Sequence, residues 1–122
     1  MSAGASTSDR NVTEADACLD AALDFMAAGD PEAAIPQLNR ALELDPGHEA
    51  AMHALIRALE DAGRLEDALR LANQRIAAAP DDVLAHTRLS ILLQHMGDVP
   101  AAEAAAARAK ILGWKLELKG GA

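Results

Sequence analysis

The sequence predicts an all-α fold of helical hairpins stacked side by side, and three observations predict it. Thirty of the 122 residues are alanine, whereas Phe25 and Trp114 are the only aromatic residues. A core of alanine and leucine suits closely packed helices, not a β-sandwich, which draws on β-branched and aromatic side chains. The helix-breaking glycines Gly29, Gly63 and Gly97 recur every 34 residues. Other residue classes repeat in step with them: Ala34 with Ala68 and Ala102, Phe25 with Leu59 and Leu93, Pro46 with Pro80. A fixed period of this length marks a stacked-repeat architecture.

Blocks of 34 residues then run over 15–48, 49–82 and 83–116, each reading as two helices of about 13 residues. In the first block Ala15, Cys18, Ala22 and Phe25 fall at three- or four-residue spacing, one buried face of a helix. Gly29 supplies the left-handed cap that ends this helix. Asp30 caps the next one and Pro31 takes its first position, where a missing N–H costs nothing. Pro36 falls within about the first turn, where proline is tolerated best, and Asp45-Pro46 ends the second helix. The second block repeats the plan with weaker punctuation, Gly63-Arg64-Leu65, and closes at Pro80. The third uses Gly97-Asp98-Val99-Pro100 and carries Trp114 where a third closing proline is due.

The ends read differently. The first 14 residues are small and polar, and are expected to form a disordered segment. Near the C-terminus Trp114, Leu116 and Leu118 alternate with Lys115, Glu117 and Lys119, a period of two. That pattern predicts an extended tail over about 117–122. It covers the last hairpin, or docks on another protein or on a second copy, through Trp114, Leu116 and Leu118.

With its aligned small residues, glycine turn and closing proline, the 34-residue period resembles the tetratricopeptide repeat over residues 15 to about 114. The resemblance implies an α-solenoid of three hairpins with a right-handed superhelical, concave groove lined by the first helix of each hairpin. It departs from the family at the early tryptophan, replaced by Cys18, Met52 and His86, and at the late aromatic, replaced by Leu38, Ala72 and Ala106. The groove implied for this chain comprises Leu19, Leu23 and Met26, then His53, Arg57 and Glu60, then Thr87, Arg88, Ile91, Gln94 and His95. A protein or peptide with an apolar anchor and an acidic group fits such a lining, because guanidinium groups grip carboxylates in pairs of hydrogen bonds. The lysine and asparagine with which family co-chaperones hold a terminal carboxylate are replaced here by Leu19 and Leu23, so that role is not expected.

Charge narrows the partners. Residues 1–48 carry two basic and nine acidic groups, a balance of −7, and residues 83–122 carry five and three, a balance of +2. A net charge of −8 is the wrong sign for a nucleic-acid binder. No segment is apolar for the roughly 18 residues that a membrane span needs, and no secretory leader is read at the N-terminus. A single cysteine, Cys18, excludes an internal disulfide and suits a reducing compartment. A cytoplasmic protein is expected, and the alanine content points towards a GC-rich bacterial source.

No catalytic constellation is read in the chain. His48, His53, His86 and His95 lack the i, i+4 spacing that sets two metal ligands on one helical face. Cys18 reads as a buried, inert thiol in a core position. Asp81 and Asp82 read as helix caps. The expectation is therefore a non-catalytic interaction scaffold with no metal and no cofactor. The alternatives are a small assembly or secretion chaperone for one client, and a self-associating subunit that stacks through an uncapped C-terminal end.

Overall fold

A computed structural model describes residues 7–120. Among them every regular element is an α-helix: α1 (Thr7–Ala27), α2 (Pro31–Leu44), α3 (Glu49–Asp61), α4 (Leu65–Ala78), α5 (Val83–His95) and α6 (Val99–Gly120). The helices group into two compact units, residues 1–62 with α1 to α3 and residues 63–122 with α4 to α6.

The punctuation falls where the glycines place it. Gly29, Gly63 and Gly97 have φ of 80°, 80° and 86°, the left-handed region that side chains resist. At the first turn the Gly29 amide donates to the Met26 carbonyl at 3.0 Å and the Asp30 amide to that of Phe25 at 2.9 Å. The same pair of bonds recurs from Gly97 to Gln94 and from Asp98 to Leu93. These are the two bonds of a Schellman cap, and they satisfy carbonyls the helix end leaves over. Asp30 Oδ1 then accepts from the Ala33 amide at 3.1 Å, and Asp98 Oδ1 from that of Ala101 at 3.2 Å. Arg64 makes no such side-chain cap bond at the start of α4.

In the first unit α1 packs on α2, and α3 packs on α2 with a smaller contact to α1. Ala15, Ala22, Ala34, Leu38 and Ala41 are completely buried. Alanine at these positions lets helix axes approach closely, and Leu38 fills the space between them. Burying a leucine of this kind contributes roughly 1.5–3 kcal/mol. In the second unit α5 packs on both α4 and α6, around the fully buried Leu92.

Both chain ends depart from the expectation. Residues 7–14 form the first two turns of α1, while residues 1–6 of the expected disordered segment lie outside the described residues. Extending a nucleated helix costs far less than starting one. Asp9 sits in the first turn of α1, where its charge opposes the helix dipole, and the Thr13 hydroxyl donates to the Asp9 carbonyl at 3.0 Å. At the other end Trp114 to Lys119 are not extended. They continue α6 to Gly120, making it 22 residues long. Pro46 and Pro80 follow the ends of α2 and α4, but no proline stands at 114 to end α6.

Three smaller corrections concern single residues. Pro36 lies in the second turn of α2 and not its first. Cys18 is half-buried, and Phe25 is 38% exposed although Ala15 and Ala22 on the same helix are fully covered.

Candidate partner-binding surface

On α1 the inward turn of Ala15 and Ala22 leaves Leu19, Leu23 and Met26 on an adjoining face. Leu19 and Met26 are half-buried there, and Leu23 is 44% exposed. On α3 the buried residues Ala51, Ala54, Leu55, Ile56, Ala58 and Leu59 take up most of the circumference. Arg57 is left pointing to solvent, with its side chain 60% exposed, and His53 and Glu60 are half-buried. The Arg57 Nε lies 3.9 Å from Asp61 Oδ2, one turn along. An exposed pair of this kind is worth well under 1 kcal/mol. The guanidinium can exchange Asp61 for an incoming carboxylate at little cost.

His48 fixes this part of the surface in a way the sequence did not reveal. Its Nδ1 accepts from the Ala51 amide at 3.2 Å and so caps α3. With Nδ1 accepting, the ring proton resides on Nε2, which donates to Asp16 Oδ1 on α1 at 2.6 Å. One imidazole therefore starts α3 and ties it to α1. Histidine lacks the cap preference of serine or aspartate, and its contact with Asp16 spans 32 residues, so local sequence carried no signal for it.

In the second unit the implied residues lie on α5. Thr87, Gln94 and His95 are exposed, and Arg88 and Ile91 are half-buried. Thr87 and Ile91 line a cleft of about 340 Å³ with Val83, Ser90, Ala106, Ala109 and Lys110. Gln94 lines a second of about 200 Å³ with Ser90, Val99, Ala102, Glu103 and Ala106. Both open between α5 and α6, because the alanines of α6 are too small to fill the interhelical space. The Ser90 hydroxyl donates to the Ala102 carbonyl at 2.7 Å and holds the two helices at this separation. The eleven implied residues thus form two sets, one in each unit.

The helical end of α6 creates a further hollow. Leu112, Lys115, Leu116, Leu118 and Lys119 line a cavity of about 410 Å³ with Asp81. Trp114 lies on another side of the helix, with Lys110 Nζ 5.3 Å from its ring centroid. Asp82, as expected, caps its helix: its Oδ1 accepts from the Ala85 amide at 3.2 Å. Its Oδ2 also accepts from Arg75 Nε at 2.7 Å. His86 is buried and pairs with the Pro80 carbonyl at 2.8 Å, which anchors the turn before α5. Among the described residues no three His, Cys, Asp or Glu side chains gather as a metal cage, and no helix is long and apolar enough to cross a membrane.

A family model described as tetratricopeptide repeat matches residues 25–87. No curated protein sequence matches the chain. Among solved structures it is similar to "MamA MSR-1 C2", with a TM-score of 0.74 and 19% identity. That match covers 83% of this chain but 58% of the other, so the likeness is one of fold over part of a longer protein. The 34-residue period, the three glycine turns and the paired helices agree with the family match, and the chain belongs to the tetratricopeptide-repeat family.

Proposed function

We infer that this chain serves non-catalytic protein–protein interaction, as repeats of this family generally do, through side chains presented by its packed helices. We propose that this chain holds a helix or extended peptide of a protein partner on the first helices of its hairpins. The observation that carries the reading is Leu23, 44% exposed on α1 beside Leu19 and Met26, with the exposed Arg57 on the adjoining α3. An apolar group of the partner covers the leucines, and an acidic group replaces Asp61 on Arg57. Arg88, Thr87, Ile91, Gln94 and His95 on α5 offer a separate set of contacts in the second unit. A cytoplasmic setting suits the half-buried lone thiol of Cys18.

Affinity purification from the producing cells, with wild type and a Leu23→Glu, Arg57→Glu variant side by side, tests the proposal. The expected result is a protein retained by wild type and reduced about tenfold or more by the variant, since each contact supplies on the order of 1 kcal/mol. A single client recovered at fixed stoichiometry gives the scaffold a chaperone's role. Retention of the same proteins at the same level by both chains contradicts the proposed surface.

A further inference from the structure

The outer side of α6 carries an exposed surface distinct from the residues just described. The inner side of this helix is formed by Ala105, Ala109 and Leu112, all buried. On the opposite side Ala104, Ala107, Ile111, Trp114 and Leu118 succeed one another at alternating steps of three and four residues. That is the spacing of the contact seam between two coiled helices. All five are exposed, Ile111 by 43%, Trp114 by 55% and Leu118 by 81%. Arg108 and Lys115, seven residues apart, flank the seam on one side, and Glu103, Lys110 and Glu117 flank it on the other. Neither Arg108 nor Lys115 takes part in an ion pair among the described residues. Lys110 stands beside the Trp114 ring, a cation–π contact that keeps the indole at the edge of the seam.

We propose that this seam docks an amphipathic helix of another protein, with apolar residues in heptad spacing and acidic residues facing Arg108 and Lys115. The flank decides the sign of the partner: one whole row is basic, so a glutamate or aspartate row across from it is attracted along its length. The seam also grades in size, from Ala104 and Ala107 to Ile111, Trp114 and Leu118. The matching helix is bulky where this one is small. A second copy of the chain fits less well. Parallel in-register pairing sets Lys110 against Lys115, which offsets the attraction of Glu103 for Arg108, and leaves alanine facing alanine; antiparallel pairing sets the basic row against itself.

Trp114 is the only tryptophan, so its emission reports directly on coverage of the seam. The probes are two synthetic three-heptad peptides with leucine at the seam positions, one with glutamate and one with lysine at the flanks. The glutamate peptide is expected to shift Trp114 emission to the blue, saturably and less strongly as salt rises, while the lysine peptide leaves it unchanged. The double variant Arg108→Glu, Lys115→Glu lowers affinity for the glutamate peptide about tenfold and confers binding of the lysine peptide. Leu118→Glu abolishes the shift with an unchanged circular-dichroism spectrum. Should that variant unfold, the charge-reversed pair decides alone. No saturable shift up to about 1 mM glutamate peptide, or an equal response to both peptides, overturns the proposal. So does a concentration-dependent dimer in sedimentation that Leu118→Glu disperses, which assigns the seam to a second copy.

Discussion

Gly97 and Gly113 show how one substitution takes opposite signs in two backbone settings. Gly97 turns the chain at φ 86° after α5, and nothing lies within 4 Å of where a methyl group would stand. The cost of Gly97→Ala is therefore conformational and not steric, a loss of about 1 kcal/mol after allowing for the stiffer unfolded chain. Gly113 lies inside α6 and a methyl group there also meets nothing within 4 Å. Gly113→Ala should raise stability by about 0.5–1 kcal/mol, because alanine loses less backbone freedom in a helix. Urea denaturation of both variants checks the pair. His48 offers a third test by the same measurement. His48→Ala removes the cap of α3 and is expected to cost about 1 kcal/mol. Asp16→Ala, which removes only the exposed half of their contact, should cost a few tenths. Equal losses in the two variants contradict the capping role.

At the scale of the element, the helices between the glycines could be read in the sequence, and the outermost turns could not. Gly29, Gly63 and Gly97 announced three breaks because only a residue without Cβ adopts that backbone readily, and Pro46 and Pro80 mark two more. Trp114 to Lys119 misled because six alternating residues score as a strand when read alone. As the continuation of a helix they need no nucleus of their own, and the same side chains resolve into two helical faces. Leu112 and Leu116, four apart, line the cavity beside Asp81, whereas Ile111 and Trp114 are exposed outside it and Leu118, 81% exposed, stands at its rim. The sign of Gly113→Ala is thus also a test of the element: an extended tail gains nothing from alanine at that position. Thr7 to Glu14 misled for the complementary reason, since small polar residues have little propensity to start a helix but accept one that α1 already provides.

For the whole molecule, the period of 34 residues made the family legible, while the site was legible only in outline. The resemblance placed Leu19, Leu23 and Met26 on one helix and Arg57 on the first helix of the next hairpin, and the structure sets these two, α1 and α3, in contact within the first unit. It gave no notice that α5 shares its exposed residues with clefts along α6, because that depends on how little volume Ala102, Ala106 and Ala109 occupy. Nor did it reveal the tie between His48 and Asp16, a contact between residues far apart in the chain. The uneven charge, −7 over residues 1–48 and +2 over residues 83–122, gives the two ends different preferences for partners. A photo-crosslinking residue placed at position 23 on α1, compared with one at the exposed position 39 on α2, reports in the producing cells which helix face meets a partner. A defined protein adduct is expected from position 23 and none from position 39. Adducts of equal yield from both positions, or from position 39 alone, would contradict it.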